Sequence, residues 1–186
     1  VVKHAPTNEV QGFIITTDFT TWRRSFKWDS LMPQAGITAS ERREHRCDDG
    51  TLTKELSLIE GFGDPTKTGI VFKRVAEIGL LGGLGCGSAL VKQAIQHLEE
   101  DGGYDYLVLQ ATKMAIPFYE REGFIRVGAV AKFNDAEDMP YVPYRHWSDI
   151  VSGSAVEASY MMAMRLPHKQ REVDRALLSE RRIKND

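Results

Sequence analysis

The sequence predicts a protein of the α/β class, and three neighbouring segments carry this prediction. The first, Ile70 to Leu81, is an apolar run typical of a central strand. The second is a glycine-rich stretch, Leu80 to Leu90, which leads into a helix whose apolar residues recur at the helical period. The third, Tyr104 to Gln110, is again an apolar strand. A strand, a helix and a second strand in this order form a parallel crossover unit.

The rest of the chain carries strand and helix patterns on both sides of this unit. Strands are predicted over Val10 to Thr17, Thr51 to Ile59, Phe124 to Phe133 and Ala158 to Leu166. Helices are predicted over Thr38 to Arg46, over Ala115 to Glu122 and in the charged tail from Pro167. Pro117 fits the first turn of its helix, and Gly102 and Gly123 fit positions just past a helix end.

Composition limits the classes of function. A chain of 186 residues suits one domain, and 24 basic against 26 acidic side chains give a net charge of -2, which offers no general attraction to nucleic acid or an anionic membrane. Two separated cysteines, Cys47 and Cys86, argue against a disulfide framework or a zinc site. We therefore expect an intracellular protein, cytoplasmic or nuclear. The first residue, Val1, indicates a processed or excised chain.

The glycine-rich stretch is interpreted as a phosphate cradle. Glycine lets successive backbone N–H groups converge, and the helix that follows adds unpaired N–H groups and a partial positive charge. The alternative is a tight turn packed under a helix. Cys86 within this stretch has no His or acid beside it in sequence, which favours a small loop residue over a nucleophile.

A second segment, Asp18 to Asp29, alternates aromatic and basic residues. Phe19, Trp22, Phe26 and Trp28 stand among arginines and Lys27. Such a pattern can bind single-stranded nucleic acid by stacking, but the segment is short and the chain as a whole is not basic. Packing is favoured, and the wall of a substrate pocket is a third interpretation.

Three strings in the chain resemble, in order and content, the GNAT superfamily of acyl-coenzyme A dependent N-acetyltransferases. They are LGGLGCGSAL at 81–90, MAIPFYEREGF at 114–124 and ASYMMAMRL at 158–166. The likeness is nearest to the histone/lysine and arylalkylamine branches. It implies the GNAT fold, a central mixed, mostly antiparallel twisted sheet of about six to seven strands with helices on both faces. It also implies one domain over residues 1–186, with 1–9 and 167–186 peripheral.

The resemblance implies acetyl-CoA as cosubstrate and no metal. In the family, the pattern Arg/Gln-x-x-Gly-x-Gly/Ala binds the CoA pyrophosphate through backbone N–H groups. Gly85 and Gly87 match its small positions, whereas Gly82 stands where Arg or Gln is usual, so phosphate contact rests on the main chain. Thr112 replaces the Asn of a second signature, Asn-x-x-Ala. The residues assigned to the cofactor are Leu80, Leu81, Gly82, Gly83, Leu84, Gly85, Cys86, Gly87, Ser88, Thr112, Ala115, Phe118 and Tyr119.

Two catalytic residues follow from the same resemblance. Tyr119 matches the tyrosine that protonates the departing CoA thiolate in many relatives, and Glu77 matches the glutamate that serves as general base on the central strand of histone acetyltransferases. A lysine amine has a reference pKa near 10.4, so a base must take its proton at neutral pH. The alternatives are a Glu77 paired with Arg74 or Lys73 or facing solvent, and a Tyr119 that only packs. Weaker candidates for the base are Glu60, Asp138, His146 and Glu157.

The expected acceptor is a primary amine, most of all a protein lysine, with histones among the candidate proteins and a small amine or polyamine as the alternative. The loop from Asn134 to Gly153 and the aromatic segment are expected to flank the acceptor entrance, with acids at Asp135, Glu137 and Asp138. No nucleic acid or membrane partner is expected.

Two other interpretations of the protein's function compete with an N-acetyltransferase. A dinucleotide site would need a glycine at Ser88 and an acid at Gln110. A non-catalytic module that binds acyl-CoA or a protein is the rival of a different class.

Overall fold

The computed structural model describes most of the chain. The residues it describes are 1–3, 5–6, 8–22, 26–28, 46–131, 142–143 and 159–185. Nearly all of the helix predicted over Thr38 to Arg46 and of the loop from Asn134 to Gly153 lies outside these residues.

The strands and helices follow one another along the described chain as two sets. The strands are β1 (Val2–Lys3), β2 (Val10–Thr21), β3 (Lys27–Trp28), β4 (Gly61–Asp64), β5 (Gly69–Gly83), β6 (Tyr106–Ala111), β7 (Ile125–Arg126), β8 (Ala129–Ala131), β9 (Val142–Pro143) and β10 (Tyr160–Arg165). The helices are α1 (Thr51–Ser57), α2 (Gly87–Asp101), α3 (Ile116–Arg121) and α4 (Pro167–Asn185). A short 3₁₀ turn, Lys113–Ala115, precedes α3.

A seven-stranded sheet forms the centre, in the order β1-β2-β5-β6-β10-β7, with β4 added along the first part of β5. All its pairs are antiparallel except β5 and β6, which are parallel and joined through α2. Strands β3, β8 and β9 form a second, small sheet. The parallel crossover and the mixed, mostly antiparallel sheet predicted from the sequence are therefore confirmed.

Helices cover both faces of the sheet, because side chains alternate along each strand. On one face, Leu52 and Leu56 of α1 pack with Phe19, Val75 and Val108. On the other face, α2 and α3 pack against the neighbouring strand positions. The buried residues of that cluster are Ala76, Ile78, Val91, Leu98, Leu107, Leu109, Ala111, Ile116, Phe124, Met162 and Leu166. We call these the α1 face and the α2 face.

The strand predicted over Thr51 to Ile59 was wrong, since this segment forms helix α1. The carboxylate of Asp48 accepts hydrogen bonds from the backbone N–H groups of Leu52 and Thr53 at 3.1 and 2.8 Å, and Asp49 accepts one from Thr51 at 2.9 Å. These acids satisfy the first N–H groups of a helix. The buried pair Leu52 and Leu56 is spaced for a helix, and it turns towards the core.

The strand predicted over Phe124 to Phe133 is also corrected. It divides into β7, which pairs with β10, and β8, which pairs with β3 in the small sheet. Other boundaries shift less: β2 runs on to Thr21, and Gly102 and Gly123 have the positive φ angles of 69° and 99° expected past a helix end.

Strand β5 changes its partner at Arg74. Residues 69–72 pair with β4, whereas residues 75–78 pair with β6. Arg74 lies between them at φ 63°, a left-handed conformation that costs a non-glycine residue about 1–2 kcal/mol. Asp105 holds it there: its backbone N–H donates to the Arg74 carbonyl at 2.8 Å, and its carboxylate accepts two hydrogen bonds from the guanidinium at 2.6 Å each.

The start of α4 is attached to the sheet by charge. The ring nitrogens of His168 lie 3.2 Å from a Glu99 carboxylate oxygen on α2 and 3.1 Å from an Asp105 oxygen. Burial lowers the pKa of His168, but the hydrogen bonds to Asp105 and Glu99 outweigh it, so the pKa is raised overall. Protonated His168 therefore stabilises the contact between α4 and the rest of the protein.

We expect His168→Gln to reduce the free energy of unfolding by about 1 kcal/mol at about pH 5.5 and by much less at about pH 8.5. The raised pKa places the stabilisation below the unfolded value of 6.5, and it is lost as the pH rises through the folded value. Chemical denaturation at both pH values measures this. Lys169→Gln is the control, because it removes the neighbouring Lys169–Glu172 ion pair at 3.1 Å without a group that titrates in this window. An equal loss at both pH values would contradict the prediction.

Candidate active site

The loop between β5 and α2 is shorter than predicted. Only residues 84–86 lie between the strand and the helix. Gly82 and Gly83, assigned to a glycine loop from the sequence, belong to β5 and are paired with Phe13 and Gly12 of β2. The prediction that the strand ends at Leu81 was wrong, because β2 is long enough to extend the ladder to Gly83. A Cβ atom on Gly82 would lie 3.0 Å from the Phe13 ring, so this position has little room for a long side chain.

Strand β2 fixes the loop in place. The carbonyl oxygen of Gln11 accepts a hydrogen bond from the Leu84 N–H at 2.9 Å and from the Cys86 thiol at 3.5 Å. The Cys86 sulfur packs so closely on Gly12 that a Cβ atom there would clash with it. Cys86 therefore serves as an anchor for the loop, which supports its interpretation as a small loop residue.

The N-terminus of α2 presents free backbone donors. The first intrahelical bond runs from Leu90 N–H to the Cys86 carbonyl at 3.0 Å, so the N–H groups of Gly87, Ser88 and Ala89 have no acceptor within the helix. In the described chain, no side chain caps this end. Gly85 precedes it at φ 77° with nothing within 4 Å of its would-be Cβ. The arrangement is suited to an anion.

Helix α3 packs against this end of α2. A Cβ atom on Gly87 would lie 3.2 Å from the Phe118 ring, so glycine allows the close approach of the two helices. The Ser88 hydroxyl donates a hydrogen bond to the Glu122 carboxylate just beyond α3. Because Ser88 is engaged by an acid, contact with an anionic ligand falls to the main-chain N–H groups. The structure thus brings the glycine loop and the Phe118–Tyr119 helix together.

Strands β5 and β6 part beyond Ile78. Their parallel pairing covers four residue pairs and ends at Ile78 and Leu109. Strand β5 continues along β2, and Gly79 forms a bulge there, since Ile78 and Leu80 pair with the adjacent residues Thr16 and Ile15. The Leu84–Gln11 bond fixes the alternation of the antiparallel ladder. The N–H groups of Leu81 and Gly83 consequently face away from β2, into the gap.

Tyr119 lies on the α2 face near this gap. Its ring makes edge contacts with Phe118 and Phe124, at centroid distances of 5.0 and 5.8 Å. Burial raises the pKa of Tyr119 above its usual value, so the hydroxyl stays protonated at neutral pH and is available as a donor. Thr112 is exposed before the 3₁₀ turn, and Ala115 is half-buried at its end.

Glu77 lies on the opposite side of the sheet. Its neighbours Ala76 and Ile78 belong to the α2 face, so its side chain is directed to the α1 face. Burial raises its pKa to about 7. The alternative of an ion pair with Arg74 or Lys73 is not realised: Arg74 bonds Asp105, and Lys73 Nζ lies 4.7 Å from the Phe62 ring centroid. Among the described residues, no group bonds the Glu77 carboxylate.

Sequence reasoning missed the apolar surface beside Glu77. Ile15 and Leu80 face each other across β2 and β5 and are 47% and 52% exposed. Because of the Gly79 bulge, Leu80 shares the α1 face with Glu77, and the single glycine inside an apolar strand was the available signal. Of the other candidate bases, Glu60 is exposed just before β4, whose first residue, Gly61, pairs with Phe72 of β5. Asp138, His146 and Glu157 lie outside the described residues.

The aromatic segment packs as predicted. Phe19, Phe26 and Trp28 are buried with Phe72, with ring centroids 5.1 to 5.9 Å apart. Trp22 differs, being 60% exposed. A cavity of about 270 Å³ borders Phe26, Trp28 and Phe72, so the wall of a pocket stays open as a role for this cluster.

Residues 81–144 match the family model described as the acetyltransferase (GNAT) domain. The match supports placing the chain in the GNAT superfamily. No curated protein matches the chain. The GNAT match includes the glycine loop and the segment from Thr112 to Phe124, whereas Glu77 and Leu80 precede it. The likeness to the histone/lysine and arylalkylamine branches stays a prediction.

The match to a GNAT domain implies a coarse function. GNAT proteins use acetyl-CoA, and the domain implies transfer of an acyl group from an acyl-CoA to an amine. In the part of the chain described here, no three or more His, Cys, Asp or Glu side chains cluster as a metal site. None of its helices combines the length and the apolar character needed to cross a bilayer.

We expect Glu77→Gln to stabilise the protein above about pH 7, by up to about 3 kcal/mol, and to have little effect below about pH 4.5. The folded pKa is raised from 4.5 to about 7, so ionisation of Glu77 costs stability as the pH rises through that interval. Unfolding by urea across the pH range measures the difference. Glu60→Gln, an exposed carboxylate, is the control. A Glu77→Gln variant that tracks the wild type at all pH values would show that Glu77 titrates normally.

Proposed function

We propose that this protein transfers an acetyl group from acetyl-CoA to a primary amine by direct attack within a ternary complex. The single observation that carries the proposal is the gap between β5 and β6, which opens beside free N–H groups at the start of α2. An acid with a raised pKa, Glu77, lies on one face of this sheet, and a protonated tyrosine, Tyr119, packs on the other. The pyrophosphate of CoA would bind at residues 85–89, and its pantetheine arm would lie in the gap.

The two faces of the sheet suit the two halves of the reaction. Glu77, on the α1 face, would take a proton from the attacking amine, because a base with a pKa of about 7 is matched to neutral pH. Tyr119, on the α2 face, would protonate the leaving thiolate. In direct transfer the amine adds to the thioester carbonyl to form a C–N bond, and the C–S bond breaks as the tetrahedral intermediate collapses. A base for the amine proton and a separate acid for the thiolate serve these two steps. The Leu81 N–H, which faces the gap, would polarise the thioester carbonyl.

The proposed acceptor is the side chain of a protein lysine. The exposed pair Ile15 and Leu80 would contact the aliphatic part of such a side chain while Glu77 receives the amine. A small amine or polyamine is the second candidate, and a non-catalytic acyl-CoA module is the alternative of a different class.

We expect Glu77→Gln to lower kcat by about a hundredfold and Tyr119→Phe by about tenfold to a hundredfold, with acetyl-CoA binding retained. Wild-type activity should rise with pH through about 7, where Glu77 ionises, and this rise should be absent in Glu77→Gln. Thiol release with lysine peptides, spermidine and arylalkylamines measures turnover, and Glu60→Gln is the control. No turnover of the wild type with any amine, together with intact CoA binding, would favour the non-catalytic module.

We expect Gly85→Ala to weaken CoA binding about tenfold, or roughly 1.4 kcal/mol, because a side chain disfavours the left-handed conformation that aims the loop. Gly102→Ala is a matched control: it lies at the other end of α2, with φ 69° against 77° for Gly85, and neither position has an atom within 4 Å of a new Cβ. Both variants should lose similar stability, about 1–2 kcal/mol. Calorimetric titration with CoA measures the affinity of each variant. Equal affinities of Gly85→Ala and Gly102→Ala for CoA would contradict a phosphate site at the loop.

A further inference from the structure

Arg126 is a fully buried arginine on β7. It is 1% exposed and lies opposite Met162 of β10, on the α2 face of the sheet. The planar guanidinium carbon lies 4.6 Å from the centroid of the Tyr160 ring. Its backbone is fixed on both sides, since its N–H donates to the Arg46 carbonyl at 3.0 Å and its carbonyl accepts from Asp48 at 2.8 Å. The main chain is satisfied, and the side-chain charge is not.

Two guanidinium nitrogens of Arg126, Nε and Nη1, are buried with no acceptor in the described part of the chain. Two other arginines in the described part of the chain are paired with acids. Arg165 donates twice to Glu55 at 2.8 Å, and Arg74 donates twice to Asp105 at 2.6 Å. A buried cation without an anion is strongly disfavoured, and stacking on one ring offsets only part of that cost. An anion is the partner that this site lacks.

The position of Arg126 connects it with the proposed reaction. Tyr160, on which the guanidinium stacks, pairs with Ala111, the last residue of β6, next to Thr112 and the turn that leads to Tyr119. Arg46 links the two elements on the other side, because its N–H donates to Glu120 of α3 at 2.9 Å and its carbonyl accepts from Arg126. The guanidinium therefore lies at the end of the sheet where β5 and β6 part.

We propose that Arg126 receives a carboxylate group carried by one of the two reactants. The inference rests on the proposed acyl transfer and adds a class of substrate to it. A carboxylate is a small, planar anion that accepts charge-assisted hydrogen bonds from a guanidinium. The phosphates of CoA have their own site at the start of α2, so they do not account for Arg126. The carboxylate belongs either to the amine acceptor or to the end of the acyl chain.

Binding is tested first, without turnover. Sodium acetate and sodium succinate should raise the melting temperature of the wild type above that in sodium chloride of equal ionic strength. Arg126→Met should lose this rise. Methionine has a similar length and can pack on Tyr160, and removal of an unpaired buried charge is compatible with folding. Arg121→Met, which removes an exposed arginine on α3, should keep it.

Kinetics then identify the source of the carboxylate. Nα-acetyl-lysine is compared with its methylamide, using acetyl-CoA, and succinyl-CoA is compared with butyryl-CoA, using the methylamide. In one of these two pairs, the compound with the carboxylate should have a KM about tenfold to a hundredfold lower than its neutral counterpart, with kcat changed less. That pair identifies the reactant whose carboxylate Arg126 binds. Arg126→Met should abolish this preference, so that the charged and the neutral member of the pair have similar KM values. Arg126→Lys, which keeps the charge, should retain part of the preference for the carboxylate. This variant replaces Arg126→Met in the test if the methionine variant does not fold.

Two results would overturn the proposal. One is a wild type that responds to carboxylates as it does to chloride, which would mean that an acid of the chain itself fills the site. The other is turnover with no preference in either pair. A carboxylate effect on melting without any acyl transfer would instead refute the proposed function and leave the anion site standing, so the two failures are distinguishable.

Discussion

The partner changes of β5 are the constraint on which the rest of the structure depends. The strand is held by β2 along most of its length but shares only four residue pairs with β6. The Gly79 bulge alters its course at the point where the parallel pairing ends. Backbone groups that would be satisfied inside a continuous sheet are left facing a gap, and the short link to α2 puts a helix N-terminus beside them. These are the backbone groups to which the proposed function assigns an extended ligand with an anionic end.

Strand β5 also makes the ionisation of one of its own acids unfavourable, and this property fits the proposed chemistry. Glu77 is carried into partly buried surroundings without a cation, so its ionised form is disfavoured. Structural acids elsewhere are treated differently: Asp105 and Glu55 each bind an arginine through two hydrogen bonds. Among the described residues, Glu77 is a partly buried acid with no cation beside it, and this setting fits the proton transfer proposed for it.

Local sequence predicted the parallel unit, its glycine loop and the Pro117 helix because each depends on residues close together in the chain. The strand expected over Thr51 to Ile59 was wrong because its partial alternation was weighed without the capping acids Asp48 and Asp49, whose effect is visible in the sequence. The extent of the loop was missed for another reason: whether Gly82 is strand or loop depends on the length of β2. The isolation of Arg126 depends on which acids the fold brings near it, and spacing along the chain does not record that.

The contact of Cys86 with Gly12 has a consequence for the thermodynamics of ligand binding. The thiol and the Leu84 N–H both attach the loop to the same Gln11 carbonyl, so the backbone donors are oriented before any ligand arrives. A loop that is already ordered loses little conformational entropy on binding, and association need not wait for it to close. In the proposed complex, the free energy of phosphate contact would add to affinity instead of ordering the chain, and this would compensate for the missing side-chain donor at Gly82.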